Sequence, residues 1–291
     1  MFENIIGNDN VKESLIKAVN SNTVSHSYLF TGKSGIGKKI FAKELAKKVM
    51  CLGKDNCESC IKFNANSNPD FQIIIPDGKA IKIDQIRNLQ SKIVEKPIIS
   101  NKKVYIIDNA DTMTEESQNC LLKTLEEPPE YAMIILIASN ENRILQTIKS
   151  RCIIIKFEDL TDRQISNFLH LDNKELVKLC GGSLENAAKI EENKDIYIRL
   201  KQMTDDLQKG SLIDALSNNI LYSLKDNILE MLDYLNVIFF EKSKENIKAS
   251  KAISIIEKTK EKLIANNNFD MSIDYMIIHI WEEFHGKSSR R

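Results

Sequence analysis

"SYLFTGKSGIGKK", residues 27–39, opens as an apolar run and closes as a glycine-spaced basic loop. Gly32, Gly37 and Lys38 stand at the spacing of the phosphate-binding pattern G-x-x-x-x-G-K-[ST], with Gly35 inside the loop. That pattern gathers backbone N–H groups and a helix N-terminus around an anion and adds a lysine charge. Residues 27–31 supply the strand the pattern needs before it. Phe41, Leu45 and Val49, four residues apart, supply the apolar face of the helix after it. The final position departs from the pattern. Lys39 stands where a Ser or Thr hydroxyl would ligate the Mg²⁺ that accompanies ATP. The cradle is kept while the metal ligand is lost.

Working outward, "FQIII" (71–75), "KVYIID" (103–108), "AMIILIA" (132–138) and "CIIIKF" (152–157) read as four more buried strands. Near-continuous Ile and Val content predicts a parallel sheet covered on both faces. Between them Ile83, Ile86, Leu89 and Ile93 share one helical face. Thr114 reads as an N-cap followed by Glu115 and Glu116, and Pro128 and Pro129 close that helix. Alternation of strand and helix predicts a doubly wound α/β domain. After about residue 158 the strand pattern ends. "LTDRQISNFLH", "NKELVKLCGG" and "SLENAAKIEEN" read as three short helices, and longer ones follow from about 195. Leu224, Ile228, Leu232, Leu235 and Phe239 make one stripe there, and Trp281 with Phe284 reads as packing.

The 291 residues are 42% hydrophobic and 28% charged, enough for more than one domain. Lys+Arg and Asp+Glu are both 41, so no global basic surface points to direct DNA binding. "MFENIIGNDN" lacks the charged-then-apolar form of a secretory signal, and no apolar run nears the ~20 residues of a membrane span. A soluble, cytoplasmic protein is the expectation. Four histidines (26, 170, 279 and 285) are dispersed and suggest no catalytic grouping.

A second nucleotide signal is "VYIIDNAD" (104–111). Its strand ends in Asp108, a carboxylate placed beside the loop to hold Mg²⁺ through water. The next position, where an acid would polarise the attacking water, is Asn109. "SHSYLFTG", "NCLLKTLEEPP" and "IKSRC" together then resemble the AAA+ clamp-loader family, and within it the members that do not hydrolyse ATP. The motifs cover the first ~190 residues. The resemblance implies a RecA-like AAA+ domain over 1–158, a helical lid over 159–194 and a helical collar over 195–291. It implies a hetero-pentamer with an ATP-hydrolysing motor subunit and a delta subunit, a sliding clamp, and primed DNA met mainly through the complex. In active relatives the lid carries an Arg that touches triphosphate, where "GGSLENA" has Glu185. Binding of ATP or ADP is therefore expected to be weak or absent. Arg151 of "SRC" matches the position that reaches a neighbouring subunit's ATP, a task suited to a planar, permanently charged guanidinium.

The family's zinc module, four cysteines before the second strand, is resembled by "CLGKDNCESCIKF" (51–63). Cys51, Cys57 and Cys60 align, while Phe63 holds the fourth place. Asp55, Glu58 and Asp70 are the oxygen candidates nearby. Three readings stay open: a zinc site, a small core filled by Phe63, or a Cys57-x-x-Cys60 redox pair, for which no other residue supplies the chemistry. Cys120, Cys152 and Cys180 read as reduced core residues. Three functions stay open as well: a non-hydrolysing ring subunit, an active ATPase motor, and a nucleotide-sensing module without turnover. A motor would carry Ser or Thr at 39, an acid at 109 and Arg at 185, and this chain has none of them.

Overall fold

The computed structural model describes all residues but 4, 54, 55, 170–173, 245 and 287–291, and omits the side chains of 174 and 175. Two compact units emerge, Met1–Gln164 with Gly182–Glu185, and Ile165–Gly181 with Asn186–Arg291. Among the described residues no helix is long and apolar enough to cross a membrane.

The first unit is a parallel sheet of β1 (Ser27–Thr31), β2 (Phe71–Ile74), β3 (Lys103–Ile107), β4 (Ala132–Ala138) and β5 (Ile153–Lys156), in the order β2-β3-β4-β1-β5. Its helices are α1 (Asp9–Asn20), α2 (Lys38–Met50), α3 (Glu58–Asn64), α4 (Ile83–Ile93), α5 (Glu115–Glu126) and the short α6 (Gln146–Lys149). Alternate strand residues feed two cores, as the two-residue side-chain period requires. Leu29, Tyr105, Ile107, Ile134 and Leu136 face α4 and α5. Tyr28, Phe30, Val104, Ile106, Ile135 and Ile137 face α1 and α2, where Phe41 packs between Phe2 and Phe157 with ring centroids 5.0 Å away on each side. Thr114 caps α5 by accepting from the Ser117 amide at 3.2 Å, and Glu127 ends that helix just before the two prolines. The central strands β1, β3 and β4 are buried on both faces, as their apolar runs predict, whereas β2 is only partly covered and β5 is corrected as a buried strand: at the sheet's edge it leaves Ile153 and Ile154 exposed.

Helices alone follow: α7 (Asp162–Leu169), α8 (Lys174–Leu179), α9 (Leu184–Glu192), α10 (Lys194–Lys209), α11 (Leu212–Ser217), α12 (Ile220–Ser223), α13 (Ile228–Ser243), α14 (Lys248–Ile264) and α15 (Phe269–His285). In the second unit α13, α14 and α15 pack on one another, and α8 packs on α13. Ile228, Leu232, Leu235 and Phe239 are buried along α13. Leu224 is not part of that stripe, because a 3₁₀ turn over Lys225–Asn227 separates it from the helix. Trp281 is held by its indole N–H, which donates to the Gly210 carbonyl at 3.0 Å, and Phe284 stacks on Phe239.

Candidate functional site

In a parallel sheet all strand C-termini share one edge, and this edge gathers the loop after β1, Asp108 after β3 and Ser139–Asn140 after β4. Gly32, Gly35 and Gly37 hold φ of +142°, +75° and +97°, values that admit glycine and strain any other residue. At Gly35 there is also no room. A Cβ there would fall 2.1 Å from Ser183 Oγ and 2.8 Å from Glu185 Cβ. The Glu185 amide donates to the Gly35 carbonyl at 3.2 Å. Glu185, where the resemblance expects a lid arginine, thus lies against the glycine loop and brings a carboxylate to it.

Lys38 is 5% exposed at the start of α2. Its ammonium donates to the loop carbonyls of Gly32 and Lys33. Burial pulls its pKa down, against the opposing fields of Asp111 and Asp108. Lys39 leaves the loop and pairs with Asp108, Nζ to Oδ2 at 2.8 Å. Asp108 Oδ1 accepts the Asn109 amide at 3.1 Å. Asn109 itself sits at φ +52°, where its backbone starts the turn that follows the strand. Asp111, which the sequence left without a role, accepts the amides of Ser139 and Asn140 at 3.3 and 3.1 Å and so ties β3 to β4. The residues do not fit a magnesium ion. Position 39 offers no oxygen and both oxygens of Asp108 are engaged.

Arg151 sits at the other edge. It stands two residues before β5, whose first pairs match the start of β1, and its carbonyl accepts the Ser27 hydroxyl at 2.6 Å. The length of β1, roughly 13 Å at 3.3 Å per residue, separates it from its own phosphate loop. Its guanidinium donates to Glu126 Oε1 at 2.5 Å and to the Thr147 carbonyl at 2.8 Å. Glu126 belongs to "LLKTLEEPP", so the two most distinctive motifs of the sequence meet in one ion pair. The motif itself was the signal for Glu126, but its partner was not legible without the sheet order.

At the cysteine cluster, Cys51 ends α2, Cys57 caps α3 and Cys60 lies in α3's first turn. Their sulfurs lie within 4.8 Å of one another, with Cys51 and Cys57 at 3.9 Å. Thiolates around one zinc at ~2.3 Å in a tetrahedron sit about 3.8 Å apart, so three corners fit. Amides of Leu52 and Cys60 pull the Cys57 thiol down to about 7, while burial pushes Cys60 up to about 12. Among the described residues no further His, Cys, Asp or Glu joins them. Asp55 lies outside the described residues. Glu58 is paired with Lys62 at 2.8 Å. Asp70 is corrected as a ligand candidate: it is buried, and its two oxygens accept the amides of Ile98, Ile99 and Ser100 at 2.8–3.0 Å. Phe63 packs on Phe71, centroids 4.5 Å apart.

Comparison with known proteins bears on these features. The family described as "DNA polymerase III, delta subunit" matches residues 7–161. DNA polymerase III subunit delta' of Bacillus subtilis is 40% identical over 164 residues, which is 55% of this chain and 50% of that protein. Subunit gamma/tau of Mycoplasma genitalium is 32% identical over 249 residues, 81% of this chain and 39% of that one. The chain thus spans half or less of these relatives' own length. Among solved structures, a DNA polymerase III gamma subunit-related protein of Thermotoga maritima superposes with a TM-score of 0.59 at 20% identity, covering 93% of this chain and 99% of that one, a likeness of fold.

Proposed function

The chain belongs to the DNA polymerase III delta-subunit family, and within it we propose that it serves as a non-hydrolysing subunit of a multi-subunit clamp loader. Its relatives are DNA polymerase III subunits by name, and the assembly we propose would load a sliding clamp on primed DNA. This chain would give that assembly a fixed wall and one arginine, Arg151, offered to the ATP site of a neighbouring subunit. The observation that carries the reading is the Lys39–Asp108 ion pair at 2.8 Å. The carboxylate on which a motor's Mg²⁺ depends is already neutralised. Asn109 has no carboxylate to polarise water, and Glu185 repels phosphate at short range. The similarity to gamma/tau keeps the motor reading in view, but each of these three residues opposes it.

Two outcomes test the proposal. The isolated protein should hydrolyse no ATP above background, and turnover that disappears in Lys38→Ala would make it an ATPase. In a co-purification, DNA polymerase III subunits should be recovered with the chain.

We also propose that Cys51, Cys57 and Cys60 hold one structural zinc. Protein purified without chelator should then carry about one zinc per chain, and chelation should lower its melting temperature because metal binding is linked to folding. Metal-free protein of unchanged stability would assign the module to packing around Phe63 instead.

A further inference from the structure

A lysine side chain has three donors and no acceptor, so the atom that ends position 39 can never ligate a cation. What it does here goes further than a missing ligand. Lys39 Nζ stands 2.8 Å from Asp108 Oδ2, on the oxygen a divalent ion would require. The pair is partly sheltered, with the Asp108 side chain 15% and the Lys39 side chain 45% exposed. The neighbouring carboxylate oxygens also accept hydrogen bonds. Asp108 Oδ1 takes the Asn109 amide, and Asp111 takes the amides of Ser139 and Asn140. The buried Lys38 ammonium adds a second positive charge in the field of the same two acids. A dication arriving here would have to displace one ammonium and approach another, with no hydroxyl offered in return.

We infer that Lys39 is a resident counter-ion: it occupies the divalent cation's place on Asp108, so that the phosphate loop takes up no Mg²⁺, alone or with a nucleotide. The inference rests on reading the loop as the remnant of an ATP site in a non-hydrolysing subunit. It makes one residue the gate for metal. The change from hydroxyl to ammonium replaces an exchangeable charge with a covalently attached one that is already spent on Asp108, so Lys38 is left to face any polyphosphate held by the loop.

The test uses Mn²⁺ as a paramagnetic probe on the full chain, with and without ATP. Bound ion is read by electron paramagnetic resonance. The wild type should match Asp108→Asn, showing only weak scattered binding. Lys39→Thr should gain one saturable site, at least about tenfold tighter than that background (about 1.4 kcal/mol). The double variant Lys39→Thr/Asp108→Asn should lose the gain. Lys39→Met, which frees Asp108 without adding a hydroxyl, should fall between. Circular dichroism confirms that each variant is folded, as expected for a half-exposed position. A wild-type Mn²⁺ site abolished by Asp108→Asn would overturn the inference, and so would a folded Lys39→Thr that gains nothing. The two readings fail separately: Mn²⁺ uptake by a wild type that does not hydrolyse ATP sinks only the counter-ion, whereas Lys38-dependent hydrolysis sinks the non-hydrolysing subunit.

Discussion

Arg151→Ala, placed in a reconstituted clamp-loader complex, is expected to cut ATP turnover at one neighbouring site by roughly 10³-fold or more, the range for a fully engaged arginine finger. Steady-state assays will show a smaller loss, because other sites still fire, so a single-turnover measurement should reveal the slow fraction. The isolated variant should fold and assemble. Its side chain is 32% exposed and paired with Glu126, and exposed pairs of this kind contribute about 0–1 kcal/mol. Arg151→Lys should rescue little, since an ammonium cannot reproduce the planar two-pronged contact with phosphate oxygens. Lys38→Ala in the same complex should change little, because in the proposed non-hydrolysing subunit its own loop does no chemistry. Full activity with Arg151→Ala, or severe loss with Lys38→Ala, would reverse the assignment of giver and receiver.

Asp70→Ala should cost about 2–4 kcal/mol of stability, because it strands donors that are partly shielded from water. The carboxylate is 1% exposed and accepts three successive amides, from Ile98, Ile99 and Ser100, just before β3. The same turn is bound to the cysteine module. Ser100 Oγ lies 2.8 Å from Ser59 Oγ, and Asn101 donates to the Cys51 carbonyl at 2.7 Å. Chemical denaturation should therefore show a lower midpoint. If zinc is bound, its release under chelator should become faster in the variant. Asp70→Asn should lie between, keeping one carbonyl acceptor while turning an NH₂ toward the amides. A variant as stable as the parent would mean that water satisfies the turn, and that the acid is dispensable.

The sheet was legible because its strands are mostly apolar. The five runs read from the sequence agree with the five strands to within a residue or two at their ends. The nucleotide loop was legible because glycine spacing is a local signal. Strand order was not, since nothing in residues 27–31 says that β1 lies between β4 and β5. For that reason the pairing of Glu126 with Arg151, 25 residues apart, appeared only in three dimensions. Lys39 was visible as an anomaly, but its partner was not, because a four-carbon side chain can turn toward solvent as readily as toward Asp108. Asp70 misled for a general reason. An acid close in sequence to cysteines looks like a ligand, and only its hydrogen bonds reveal that it serves the backbone. Leu224 misled because an apolar spacing of four continues through a turn that breaks the helix.

The separation of the glycine loop from Arg151 by the length of a strand has an evolutionary consequence. If Arg151 serves a neighbouring subunit as proposed, a lineage can erode the loop's chemistry at one edge without touching what that neighbour receives from the other. Lys39, Asn109 and Glu185 could each have been accepted while the arginine stayed under selection from a different gene's product. Such a layout lets an enzyme fold retire from catalysis by degrees and remain indispensable to catalysis elsewhere. Variation among close homologues should accordingly be lopsided, drifting at the loop and its acid while the Glu126–Arg151 pair stays fixed.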